Sequence, residues 1–275
     1  MRDLVLPIHD LSFHVRLAGQ GPVLLLLHGF TGSADAWVEQ QQHFAREYMV
    51  VVPDLIGHGS SDAPPDPGRY GMAACVADLL ALLDALACER VTVLGYSMGG
   101  RVALQLAAAA PGRVERLILE SASPGLASAA ERQARCQADH ALADSIEREG
   151  LVAFVDYWQA LPLFASQTTL PAEVQGRQRA QRLQGRPLGL ANSLRGMGTG
   201  QQESLWERLP EIACPTLLLA GALDQKFVAI VQQMAERMPD ARVTIVAGAG
   251  HTIHLEQPEV FATIVRMALP DGRQA

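Results

Sequence analysis

The chain has 275 residues, 49% of them hydrophobic, and a formal net charge of −7. That length and apolar fraction allow a large core, and an acidic chain argues against a nucleic-acid binder, which carries a basic face. Only one of the 22 basic residues is lysine, Lys226. Four cysteines (Cys75, Cys88, Cys136 and Cys214) lack metal-ligand spacing and are few for a disulfide scaffold, so reduced thiols and no metal are expected. Met1-Arg2-Asp3-Leu4 lacks an apolar signal core, and no run approaches the ~20 apolar residues of a membrane helix. A soluble cytoplasmic protein, with no membrane partner, is the expectation.

Residues 4–18 fit an antiparallel edge hairpin. Apolar runs at 23–27, 50–52, 91–94, 117–119, 216–220 and 243–246 read as buried strands, and 75–86, 102–110, 228–238 and 258–267 read as helices. Such alternation predicts an α/β protein with a mostly parallel central sheet flanked by helices. The alternation stops between about 122 and 200. Helical patterns at 130–149, 151–159 and 172–183 fill that region, with turn signals at Leu161-Pro162 and Leu170-Pro171. The expected organisation is a single domain, with a core of 1–121 and 201–275 and a helical cap inserted at about 122–200. Residues 189–201, rich in glycine, read as the return from cap to core.

Gly95-Tyr96-Ser97-Met98-Gly99 lies between the strand at 91–94 and the helix at 102–110. A serine on a sharp strand-to-helix turn needs small neighbours, and this arrangement is a nucleophile elbow. A hydroxyl is a weak nucleophile or base alone. It needs a histidine to take its proton and a carboxylate to orient that histidine. In this architecture the acid and then the histidine follow the serine, in loops after later strands. Asp224 and His251 fit, with Asp224 also suited to cap the next helix. His254, three residues after His251, is the competitor, less favoured because His251 directly follows the glycine-containing loop 247–250. An oxyanion hole needs two convergent backbone N–H groups. Met98, just after the serine, and Phe30, in His28-Gly29-Phe30-Thr31-Gly32, are the candidates. His28 and His58 read as loop organisers. Arg101, four residues after Ser97 and on the same helix face, places a cation beside the nucleophile, where the helix dipole disfavours one.

His28-Gly29, the loop 54–62, the elbow, Asp224 and Gly250-His251 occur in the order that resembles the α/β-hydrolase superfamily, across nearly the whole chain. Within it, Gly95-Tyr96-Ser97-Met98-Gly99-Gly100-Arg101, the stretches 120–126 and 161–167, and above all 189–201, look like the 2-succinyl-6-hydroxy-2,4-cyclohexadiene-1-carboxylate (SHCHC) synthase family of menaquinone biosynthesis. The resemblance implies a cofactor-free lyase. It would remove a proton from a small polycarboxylate, expel pyruvate and leave a cyclohexadiene. It implies Ser97, Asp224 and His251 as the triad, and Arg101, Arg135, Arg179, Trp158 and Tyr96 as substrate-binding residues. Two other readings stay open from the residues: a serine hydrolase acting on an anionic substrate with the same triad, and a non-catalytic ligand-binding protein.

Overall fold

The computed structural model describes residues 1–270. Its centre is an eight-stranded sheet in the order β1-β2-β4-β3-β5-β6-β7-β8. The strands are β1 (Arg2–Ile8), β2 (Leu11–Ala18), β3 (Val23–Leu27), β4 (Met49–Pro53), β5 (Val91–Tyr96), β6 (Val114–Glu120), β7 (Thr216–Gly221) and β8 (Ala241–Val246). β1 pairs antiparallel with β2, and β2 antiparallel with β4; every later pairing is parallel. The carboxyl ends of β3 and of β5 through β8 therefore open on one edge, where loops can converge.

Period-two alternation decides which side chains face which layer. Leu25, Leu27, Val91, Val93, Leu117, Leu119 and Leu218 share one buried cluster with residues of α2 (Met72–Ala85), α3 (Met98–Ala109) and α7 (Gln225–Ala235). Leu24, Leu26, Leu94, Ile118, Leu217 and Leu219 share the opposite cluster with Phe44 of α1 (Val38–Phe44) and Phe261 of α8 (Pro258–Ala268). The central strands are apolar at nearly every position because both of their faces are covered.

Between β6 and β7 the chain is helical, with α4 (Ala129–Gln159), a 3-10 stretch Pro162–Thr169, α5 (Ala172–Arg182) and α6 (Pro187–Met197). Ser128 and Glu131 form a reciprocal capping box at the start of α4. Gly150, at φ 84°, breaks α4 into two pieces. Ala143, Ile146, Phe154, Val155, Leu190, Ala191 and Leu194 give these helices a small core of their own, which meets the main body at Phe30.

The stretch 189–201, read as the return from cap to core, takes regular structure. Most of it is helix α6, buried along much of its length. Its glycines serve close packing. A Cβ on Gly189 would stand 2.1 Å from the Gly57 carbonyl oxygen, and one on Gly196 2.6 Å from that of Pro67. All four cysteines are free thiols, and no described helix is long and apolar enough to cross a membrane.

Candidate active site

β5 runs directly into Ser97, whose backbone sits at φ 50°, ψ −107°. A non-glycine residue there is strained, and surrounding structure must hold it. The neighbours do so by approaching very closely. A Cβ on Gly95 would lie 2.4 Å from the Gly99 carbonyl oxygen, and one on Gly99 2.2 Å from that of Leu27. The Ser97 N–H donates to the Glu120 carbonyl on β6 at 2.8 Å. The hydroxyl thus stands at the mouth of the sheet, at the N-terminus of α3.

Asp224 follows β7 and His251 follows β8. The Ser97 hydroxyl lies 3.1 Å from His251 Nε2, and His251 Nδ1 lies 2.7 Å from Asp224 Oδ2. The other Asp224 carboxylate oxygen accepts the Phe227 N–H at 3.4 Å, capping α7. Asp224 is therefore both orienter and helix cap. A hydroxyl hydrogen-bonded to an imidazole that is itself held by a carboxylate can give up its proton, as either nucleophile or base.

His254 has its own carboxylate. Glu120 accepts from its backbone N–H at 3.0 Å and pairs with its Nδ1 at 2.7 Å, both side chains being buried. Glu256 accepts from the Gly250 N–H at 2.6 Å and the Thr252 N–H at 3.1 Å, bracketing His251. Tyr96 and Thr252 share a hydrogen bond at 2.7 Å, and Gln167 Nε2–H donates to the same Thr252 oxygen at 2.9 Å. The stretch Pro162–Thr169 is thereby tied to the histidine loop. Burial drives the Tyr96 phenol pKa strongly upward, keeping it a neutral hydroxyl.

His28 and His58 hold loops. The Leu55 N–H donates to His28 Nε2 at 3.0 Å, and His28 Nδ1–H donates to the Gly29 carbonyl at 2.9 Å, fixing the loop that carries Phe30. His58 Nδ1–H donates to the Ile56 carbonyl at 2.9 Å. Burial, helped by the neighbouring His28, pushes the His58 pKa down to about 3, so its ring is neutral at ordinary pH.

A cavity of about 200 Å³ opens on Ser97 and His251. Phe30, Met98, Tyr96, Arg101, Arg135 and Trp158 all line it, as does Lys226, and among the described residues no aspartate or glutamate does. Arg101 is buried to 9% exposure. Its Nη1 donates to the Met197 carbonyl at 2.9 Å and to Gln202 Oε1 at 3.0 Å, both neutral acceptors. Burial, reinforced by the like charge of Arg135, pulls its pKa down to about 10. Arg135 pairs with Asp139 at 2.7 Å on the next turn of α4. Trp158 packs edge-on to Phe30 at 5.2 Å, and its buried indole N–H has no protein acceptor.

Arg179 is the exception among the expected residues. It pairs with Asp156 at 2.8 Å and does not line this cavity. The buried arginine of α5 is Arg182, three residues on, at 6% exposure. Its guanidinium lies 5.1 Å from the Phe164 ring centroid, and no described carboxylate pairs with it. It lines an adjoining cavity of about 460 Å³ that shares the walls Phe30, Tyr96 and Phe164 with the first. Arg182 is one of several cap arginines that the sequence offers without distinguishing it, and Glu120 and Gln167 fall within the stretches 120–126 and 161–167 with no role assigned to them. Glu256 carries no local signal in the sequence.

A family model described as alpha/beta hydrolase fold matches residues 22–258. The chain belongs to the α/β-hydrolase family. Within it, this α/β-hydrolase is 45% identical over 253 residues to the Bacillus subtilis (strain 168) protein named "Putative 2-succinyl-6-hydroxy-2,4-cyclohexadiene-1-carboxylate synthase", covering 90% of this chain and 92% of that one. It is 33% identical over 256 residues to the Salmonella paratyphi C (strain RKS4594) 2-succinyl-6-hydroxy-2,4-cyclohexadiene-1-carboxylate synthase, covering 90% and 94% of the two chains. The solved structure of MenH from S. aureus superposes with a TM-score of 0.90 at 38% identity, covering 95% of this α/β-hydrolase and 99% of that chain.

Proposed function

We propose that this enzyme eliminates pyruvate from 2-succinyl-5-enolpyruvyl-6-hydroxy-3-cyclohexene-1-carboxylate, giving 2-succinyl-6-hydroxy-2,4-cyclohexadiene-1-carboxylate in menaquinone biosynthesis. One observation carries the reading. The cavity at Ser97 is lined by Arg101, Arg135 and Lys226 with no acidic side chain among the described residues, in a chain of net charge −7. Such a pocket suits a substrate with several carboxylates, and the names borne by the relatives describe one.

In this mechanism Ser97, Asp224 and His251 act as a triad. His251, oriented by Asp224, takes the Ser97 proton, and the Ser97 oxygen takes the acidic ring proton next to the succinyl ketone. The electron pair of that C–H bond moves through the ring double bond. The bond from ring carbon to enolpyruvyl oxygen breaks. The proton held on His251 passes to the departing enolpyruvate, which becomes pyruvate, and no water is consumed. Negative charge that builds on the conjugated carbonyl oxygen is stabilised by the Phe30 and Met98 N–H groups, each worth roughly 3–4 kcal/mol in comparable sites. Arg101, Arg135 and Arg182 grip carboxylates, and the Trp158 N–H and Tyr96 complete the wall. The helical segment of about 122–200 serves as the cap that excludes water.

The test is to incubate the purified enzyme with the enolpyruvyl precursor and follow pyruvate and the cyclohexadiene chromophore together. The two should appear in equal amounts, and Ser97→Ala should slow both by at least about 1000-fold. Pyruvate release at the wild-type rate by Ser97→Ala would sink the assignment. Ester hydrolysis without diene formation would instead favour a hydrolase.

A further inference from the structure

Lys226 stands apart from the other cations of the cavity. It is the only lysine among 275 residues. It occupies the first turn of α7, two residues after Asp224, and its side chain lines the cavity that opens on Ser97. A cation in a first turn opposes the helix dipole, so helix stability does not account for it. No ion pair accounts for it either, since no described carboxylate lies within 4 Å of its ammonium group. Its nearest recorded aromatic neighbour is Phe227, with Nζ 5.8 Å from the ring centroid, and that ring packs edge-on to His251 at 4.7 Å. The residue is exposed. An unpaired positive charge thus sits at the solvent end of the wall that includes the histidine, whereas Arg101 is buried within the same cavity.

We infer that Lys226 binds a carboxylate of the substrate at the mouth of the cavity. The inference rests on the lyase reading for the identity of the substrate, and on the cavity alone for the anion. An ammonium group on a flexible stem is a point charge with rotatable donors, suited to a carboxylate that arrives from and returns to solvent. The planar guanidinium groups deeper in the cleft suit carboxylates that must be held in fixed geometry during reaction.

The single lysine makes the test direct. Reductive methylation with 13C-formaldehyde labels Lys226 and the N-terminal amine only. The dimethyl-lysine signal should shift saturably on titration with citrate, and the shift should exceed that produced by sodium chloride at equal ionic strength. Separately, Lys226→Gln in the full-length enzyme should raise KM for the enolpyruvyl precursor about tenfold, the loss expected for one charge-assisted contact, with kcat changed much less. Lys226→Arg should restore most of the affinity. A citrate response no larger than that of chloride, or a KM unchanged in Lys226→Gln while wild-type enzyme forms the diene, would overturn the inference and leave the lyase reading intact. A citrate-specific shift in a protein that forms no diene would support the anion contact and overturn the reaction instead.

Discussion

Arg101 keeps a guanidinium in a nearly dry wall with two neutral oxygens as its recorded acceptors, Met197 O and Gln202 Oε1. A buried charge whose direct acceptors are neutral, and whose nearby Asp139 carboxylate is already paired with Arg135, opposes folding, and an arriving anion relieves that. The sign follows from the depressed pKa. The folded protein holds this proton less tightly, with a pKa of about 10 against an ordinary 12.5. The charged group therefore disfavours the folded state at neutral pH and favours a bound carboxylate there. Citrate should raise the melting temperature at pH 7, the increment should shrink as pH rises through about 10, and Arg101→Gln should lose most of it. Thermal melts with and without citrate across that range check this. Arg179 and Arg182 make a sharper pair. Arg179→Gln removes a partly exposed ion pair, of a kind worth at most about 1 kcal/mol, and should change KM less than about twofold. Arg182→Gln removes the buried, unpaired cation and should raise KM about tenfold or more. The sequence alone could not choose between them. Two arginines three apart share a helix face, and only the seat of α5 decides that Arg182 reaches Phe164 while Arg179 reaches Asp156. The hydrogen-bonded order Ser97, His251, Asp224 was far more legible, because each residue is tied to the end of a strand that its own apolar run marks.

Elements whose apolar period is unbroken were readable from the chain, and those punctuated by glycine were not. β5 and β7 announce themselves as runs of valine and leucine flanked by small residues. Helix α6 does not, because Gly189, Gly196 and Gly198 resemble the marks of a loop. Gly189 and Gly196 let α6 press closely against the loop at Gly57 and the turn Pro67–Tyr70, and Gly198 leaves room for the Asp139 carboxylate. Gly189→Ala should accordingly destabilise the enzyme by about 2 kcal/mol or more, as overpacking against an immovable carbonyl does; urea unfolding measures it. The stretch Pro162–Thr169 was legible only as turn signals, and its tie to the histidine loop through Gln167 and Thr252 has no sequence signature. Gln167→Ala should weaken that tie, leaving Thr252 and Tyr96 paired. The measurable outcome is faster hydrogen exchange in 162–169, with little change in the central strands.

For the whole molecule, acid is the condition that buried histidines resist least. His58 has a folded pKa of about 3 against 6.5 in the open chain, and burial lowers that of His28 as well. Between those limits the unfolded chain binds more protons, so stability present above pH 6.5 is lost as pH falls toward 3, at up to about 1.4 kcal/mol per pH unit for each such group. Urea unfolding at pH 7, 5.5 and 4.5 should show this decline, and His58→Gln should make it shallower. The sheet that carries these loops contributes rigidity from both faces, and the elbow draws on it. Ser97 is held at φ 50°, a conformation that costs a non-glycine residue on the order of 1–3 kcal/mol. Glycine adopts it freely. The Ser97→Gly protein should therefore melt at a higher temperature than the wild type. Selection for durability alone would erase the hydroxyl; under the mechanism proposed above, the strain is what the chain keeps in exchange for turnover, against the drift toward a more stable and inert relative.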